Sequence, residues 1–328
     1  MKRREFITLL GGAGATPALW PGMARAQQAS IPTIGLLHSG SAETNTKRLA
    51  GFRKGLGDAG FVEGRNAAIE YRWADGHNDR LPEMAAELIR KPVTLIATLF
   101  TTVAALAAHA ATKTIPIVFL IAEDPVKLGL AQSFNHPGGN VTGITSLNSD
   151  IAAKRLGLLH DILPKANTVA ALVNPANPNA KPVLRIVEAT ARNLGLQLQL
   201  LNATNDREIE AAFLAVKPGT ALLVSTDPFF FSRHVQLAAL AARHAVPTMY
   251  DNREFPAAGG LMSYGTDIPS GWEQCGLTVG RILKGEKPGD LPIVQAAKFE
   301  TVINQKTAKA LGVEIPSKFL FTADEVIE

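Results

Sequence analysis

Residues 93–122 read VTLIATLFTTVAALAAHAATKTIPIVFLIA, and the fold turns on what this stretch is. Its first part, Val93–Ala111, runs for 19 residues without a charge, long enough to raise the question of a membrane span. It divides instead. Val93–Leu99 is an apolar, β-branched run of strand type, Thr101-Thr102 is a polar break, and an alanine-rich helical run begins at Val103. Alanine and threonine contribute little transfer energy and no aromatic belt flanks the segment, so a bilayer gains little by holding it. The stretch predicts a buried strand, a helix over Thr102–Thr112 and a second strand over Ile115–Ala122. Strand, helix and strand in this order make one unit of a parallel sheet covered by helices.

The same alternation extends in both directions. Upstream, Ile34–Leu37 and Ala67–Trp73 read as strands, and Thr46–Asp58 and Asp79–Arg90 as helices. Leu49, Phe52 and Leu56 share one face of the first helix, and Gly60 stops it. Downstream, the turn-rich His136–Asn140 breaks the rhythm before a strand at Val141–Ile144. A second unit follows, with helices at Ile151–Leu163, Pro182–Leu194, Glu208–Val216 and Arg233–His244. Between them lie strands at Thr168–Val173, Leu196–Leu201, Ala221–Ser225 and Pro247–Tyr250.

The expected fold class is therefore α/β, two Rossmann-like lobes with parallel sheets. The tail offers a strand at Gly260–Tyr264, a helix at Trp272–Leu283 and a strand at Lys298–Ile303, too few elements for a third domain. They are assigned to both lobes through a multi-crossover hinge. The expected limits are 30–146 plus 260–291 for the first lobe and 147–252 plus 292–328 for the second, with passages near Ser146, 253–260 and Pro292.

Composition narrows the class. The chain has 328 residues, 46% hydrophobic and 19% charged, which excludes disorder and collagen, and its single cysteine excludes a disulfide scaffold. The net charge of +4 hints at nucleic acid until its location is read. Residues 1–26 hold Lys2, Arg3, Arg4 and Arg25 against Glu5, and without them 29 basic residues face 28 acidic ones. No nucleic-acid partner is expected.

Those 26 residues form an export signal: a basic start, an apolar stretch from Phe6 to Trp20, and Ala24-Arg25-Ala26 as a small-x-small cleavage site. Cleavage is expected before Gln27. Arg3-Arg4-Glu5-Phe6-Ile7 resembles the twin-arginine export motif, with an ordinary Sec signal as the alternative. Cys275 lies far from the cleavage site, so no lipid anchor is expected there, and the periplasm is the favoured location.

Ligands of open parallel sheets bind beyond the carboxyl ends of strands. Those ends here are His38-Ser39-Gly40-Ser41, Phe100-Thr101-Thr102, Glu123-Asp124-Pro125, Asn174-Pro175-Ala176-Asn177 and Ser225-Thr226-Asp227-Pro228. Each is short and polar, and most lead into a helix whose first N–H groups can hold an anion. The candidate ligand-binding residues are Ser39, Gly40, Thr101, Thr102, Asp124, Asn174, Asp227 and Phe229. Thr101 and Thr102 would hold a carboxylate, Asp124 or Asp227 an amine, and Phe229 the ligand side chain. Phe229-Phe230-Phe231 open a helix and point in three directions, so one of the three is expected to face away from the core. Gly55-Leu56-Gly57-Asp58-Ala59-Gly60 spells the dinucleotide fingerprint but sits at a helix end instead of a strand-to-helix turn. No Walker loop, paired-histidine zinc motif or serine elbow is present, and the seven histidines lack metal-ligand spacing. No enzyme, cofactor or metal is expected.

Five segments carry a family resemblance: KRREFI from Lys2, EDPVKLGLAQSFNHPGGNVTG from Glu123, REFPAAGGLMSYG from Arg253, GRILKGEKPGDLP from Gly280 and VINQKTAKALG from Val302. Together they resemble the substrate-binding proteins of ABC transporters, in the TrpX-like branch of tryptophan and tyrosine binders. The resemblance implies the type I periplasmic-binding-protein fold, three crossovers, a small-molecule ligand captured by closure of the lobes, and an ABC permease in the inner membrane as partner. A ligand sensor that presents its bound state to a membrane receptor is the alternative. In two places the sequence departs from that branch. Phe100-Thr101-Thr102 stands where a glycine-containing loop is usual, and Trp272 and Leu277 stand where tyrosines are expected, which bears on the ligand accepted.

Overall fold

The computed structural model describes residues 31–147, 151–296 and 299–328; the leader and its cleavage site lie outside them. The first lobe opens with β1 (Thr33–His38), α1 (Thr46–Asp58), β2 (Ala68–Trp73), α2 (Leu81–Arg90), β3 (Leu95–Leu99), α3 (Thr102–Ala111), β4 (Ile117–Ile121) and β5 (Val141–Thr145). Every residue of β3, β4 and β5 is buried, as central strands covered by helices on both faces require. The quoted stretch is thus strand, helix and strand, and among the described residues no helix is long and apolar enough to cross a membrane.

The second lobe continues with α4 (Ala152–Ile162), β6 (Thr168–Val173), α5 (Ala180–Asn193), β7 (Gln197–Asn202), α6 (Asp206–Ala215), β8 (Ala221–Val224), α7 (Pro228–Phe231), α8 (His234–Arg243), β9 (Thr248–Tyr250), α9 (Glu254–Ala257) and β10 (Met262–Thr266). The chain then returns to the first lobe as α10 (Ile268–Leu283) and β11 (Val294–Gln295). It ends in the second as β12 (Phe299–Asn304), α11 (Gln305–Ala310), α12 (Ser317–Thr322) and β13 (Glu325–Ile327).

Two sheets result, ordered β2-β1-β3-β4-β5-β11 and β7-β6-β8-β9-β10-β12-β13. All pairings are parallel except β10 with β12. One expectation is corrected. The strand near residue 260 pairs with β9 and β12 in the second sheet, not the first, so the second passage falls at Asp267 and the third beyond Pro292, between β11 and β12. Hydrophobicity marks a strand but not its neighbours; after the short α9 the chain returns as β10 beside β9 and extends its sheet in parallel.

The segment that does return, α10, lies across α1 with backbone on backbone. A Cβ at Gly55 would overlap the Glu273 carbonyl, and one at Gly276 the Phe52 carbonyl. This is the work of the glycines that imitate a dinucleotide fingerprint: Gly55 admits α10, and Gly60, at φ 95°, ends α1 with Phe61 N–H donating back to the Leu56 carbonyl. Ile268, Trp272, Cys275, Val279 and Ile282 of α10 complete one core with Ile34, Leu36, Leu49 and Phe52.

Candidate functional site

Strands of a parallel sheet all end on one edge, and there both lobes bury polar residues: His38, Ser39, Thr101, Thr102 and Glu123 in the first, Asn174, Thr226, Asp227, Asp251 and Asn252 in the second. Buried polar groups need partners, so their concentration marks an edge that does more than pack. Two adjoining recesses lie between the lobes. Phe100, Thr102, Val103, Ala122 and Glu123 face Asn177, Thr226 and Pro228 across one. Ser39, Gly76, Asn78 and Val103 face Asn177, Asp227, Pro228 and Phe229 across the other.

On the first lobe, Thr101 is the N-cap of α3 yet makes no side-chain cap bond; its hydroxyl donates to Ser39 Oγ at 2.8 Å. The first turn of α3 therefore keeps backbone donors and a positive dipole end for an anion beside the recess. Thr102 Oγ1 donates to the Glu123 carboxylate, which is 9% exposed. Glu123 is the acidic group on this side. Its neighbour Asp124 lines neither recess: its Oδ1 accepts from the N–H groups of Val126 and Lys127 and so fixes the turn that Pro125 opens. Two adjacent acids at a strand end read alike in sequence, and alternation of side chains along the backbone decides which faces the cleft.

On the second lobe, Asp227 lines the recess, but its carboxylate is already engaged. Oδ1 accepts from the N–H groups of Phe229 and Phe230 at 2.6 and 3.3 Å, and Oδ2 from Asn177 and Asn174 side-chain amides at 2.7 and 3.2 Å. Four donors fill a carboxylate's four acceptor positions. Burial nonetheless holds its pKa above the ordinary carboxylate value. Asn174 thus supports Asp227 from behind and lines neither recess.

Gly40 also lies behind the lining, where its N–H donates to His38 Nδ1 at 2.8 Å. His38 is 2% exposed; burial, and then the charge of Arg48, lower its pKa to about 3. Phe229 lines the recess with its ring under the Arg233 guanidinium, 4.0 Å away. The expectation that one of the three phenylalanines faces outward is corrected: all three are buried, at 8%, 0% and 4% exposure, because guanidinium groups cover two of them. Phe100 does stand at the recess, at φ 56°. That left-handed conformation suits glycine better than phenylalanine. Trp272 is fully buried and Leu277 is 38% exposed, and neither lines a recess.

Arg48 is a functional residue that sequence alone does not mark, because an arginine in the first turn of an amphipathic helix reads as solvent-facing. It is 2% exposed, and it donates from Nε and Nη2 to Glu254 Oε1 of the other lobe at 3.2 and 3.1 Å. Among the described residues no group of three or more His, Cys, Asp or Glu side chains is placed to hold a metal ion.

The family model described as ABC transporter substrate binding protein matches residues 34–327. A curated tyrosine-binding protein of Clostridioides difficile (strain R20291) is 28% identical over 269 residues, 82% of this chain and 77% of that protein. Among solved structures, an ABC domain in complex with L-Trp from Streptococcus pneumoniae superposes with a TM-score of 0.80 at 25% identity, covering 91% of this chain and 100% of the other. The ligand-free, open structure of a substrate-binding protein with adhesive properties from Clostridium difficile reaches 0.64 at the same 25% identity, covering 91% and 99%. More distant structures share the architecture of type I periplasmic-binding proteins, as the sequence resemblance implied.

Proposed function

The chain belongs to the ABC transporter substrate-binding protein family, and from that premise we propose that it is the periplasmic capture component of an ABC importer, binding an amino acid or a related small carboxylate by closure of its lobes. The observation that carries this reading is that the strand ends of both lobes wall the same two recesses, of about 20 and 10 Å³ in this arrangement, so that a ligand admitted by parting of the lobes would touch both at once. Closure then follows as a population shift, because the full contact set exists only when the lobes meet.

In this reading the carboxylate docks at the start of α3, on the first-turn N–H groups beside Thr101 and Thr102, with Ser39 in reach. The amine faces Glu123, and the side chain rests between Phe100 and Phe229. The relatives that bind tyrosine and L-Trp support the amino-acid class. The protein would be exported with cleavage before Gln27, without a lipid anchor, and would deliver its ligand to an inner-membrane permease. A binding role uses no catalytic group, in keeping with a family of binding proteins.

Native mass spectrometry of freshly purified protein, with extraction of any bound small molecule, tests the reading. Recovery of an amino acid, or micromolar or tighter calorimetric binding of one from a panel that includes L-tyrosine and L-tryptophan, supports it. Recovery of a sugar, or no binding across the panel, overturns the ligand class. N-terminal sequencing of periplasmic protein should start at Gln27.

A further inference from the structure

Arg48 rises from α1 of the first lobe, but its pairing partner and the ring nearest its guanidinium belong to the second. Its guanidinium lies 3.3 Å from the centre of the Phe231 ring, pairs with Glu254 at 3.1 Å, and is 5.5 Å from the Phe100 ring of its own lobe. Asp251 of the second lobe, whose pKa burial pushes up, interacts electrostatically with Arg155 and with Arg48. Arg155 in turn donates to the Tyr264 carbonyl at 2.7 Å and to Thr226 Oγ1 at 3.2 Å. Four ionic groups thus meet under the closed edge, two of each sign.

Their ownership is unequal. Glu254, Asp251 and Arg155 belong to the second lobe, and Arg48 is the one of the four that comes from the first. Separating the lobes would return Arg48 to water and take from Glu254 its pair with that guanidinium. Burial pushes the Glu254 carboxylate up, but the charge and hydrogen bonds of Arg48, with a backbone N–H and the charge of Arg253, together hold its pKa below the ordinary value. An interaction present in only one of two states contributes its whole free energy to the equilibrium between them. Arginine suits the task, because its flat cation stacks on Phe231 while its edge pairs with Glu254.

We propose that Arg48 is a latch for lobe closure: it raises the affinity for whatever ligand is captured by stabilising the closed state, without touching that ligand. Its position fits, since Arg48 lines neither recess, and Phe100 separates it from the first. The inference rests on the capture-by-closure reading, but its test needs no ligand.

The test is pulsed electron–electron double resonance on ligand-free protein carrying spin labels at Lys127→Cys and Lys181→Cys, exposed positions on the cleft sides of the two lobes; Cys275 is buried. The chain with native Arg48 should show a population at the short inter-label distance of the arrangement described here. Arg48→Leu and Glu254→Gln should each lower that population about tenfold, the double variant no further, and Arg48→Lys less than Arg48→Leu. A packing role within the first lobe would lower thermal stability without this shared, non-additive loss of the short distance. An equal short-distance population in all five chains, or none in the native one, overturns the proposal and leaves the binding reading to its own test by mass spectrometry.

Discussion

The Thr101 hydroxyl donates to Ser39 Oγ at 2.8 Å, which ties the end of β3 to the end of β1 at the point where α3 offers its first N–H groups. A hydroxyl spent on this bond holds the loop and leaves the carboxylate to the backbone. Thr101→Val, which keeps the shape and removes the donor, should therefore weaken binding of the ligand recovered from the protein by about 1 kcal/mol, several-fold in Kd, as measured by calorimetry.

Asp227 should prove to be a structural residue as well as a recess wall. Asp227→Ala leaves two helix N–H groups and two amides without their acceptor, and is expected to cost about 2 to 4 kcal/mol of stability in urea unfolding. Asn177→Ala removes one of the four donors and should cost about 1 kcal/mol. Equal stability of Asp227→Ala and the native chain would show that the network holds nothing in place.

Two glycines of the same helical contact region should behave in opposite ways. Gly276→Ala drives a methyl into the Phe52 carbonyl, where backbone cannot yield, so it should destabilise the first lobe by about 3 kcal/mol or more. Gly57, exposed on α1 with nothing within 4 Å of an added Cβ, should gain about 0.5 to 1 kcal/mol on change to alanine. Thermal unfolding of the two variants decides both.

The strained backbone at Phe100 predicts an inverted order of substitutions. Both Phe100→Ala and Phe100→Gly lose the same buried ring, but only glycine accepts φ 56° without cost. Phe100→Gly should be the more stable of the two by about 1 kcal/mol, against the usual ranking.

His38 should give the protein an acid-sensitive limb. Its folded pKa of about 3 lies below the ordinary 6.5, so the unfolded chain binds the proton first. The stability it confers is fully present above pH 6.5 and declines as pH falls from 6.5 to 3, by up to roughly 4 kcal/mol. His38→Gln, which does not titrate, should flatten this part of the stability profile in urea titrations between those pH values.

How far the sequence speaks depends on how local each feature is. Thr46–Asp58 and Thr168–Val173 match their helix and strand to the residue, because apolar periodicity and flanking turns fix them from within. The two-residue β11, with both side chains exposed, and the three-residue β13 are defined by the edges they join and leave no such mark. The partner of β10 was illegible for the same reason. At the site, the polar strand ends were visible in outline, while the choice of Glu123 over Asp124 depends on which way one backbone turn faces. Arg48 could be recognised only once Phe231 and Glu254, some two hundred residues away, were seen to cover it.

The return of α10 to the first lobe has a consequence for the order in which the protein can be made. A ribosome releases α1 and the first five strands, then nearly all of the second lobe, before α10 appears. Until then Ile34, Leu36, Leu49 and Phe52 lack the apolar residues of α10 that share their core. The nascent chain thus carries an uncovered greasy face through most of its synthesis, the kind of surface that recruits chaperones and invites aggregation. The half that is translated first is the half whose folding finishes late, and a chain released before residue 268 would present that face permanently.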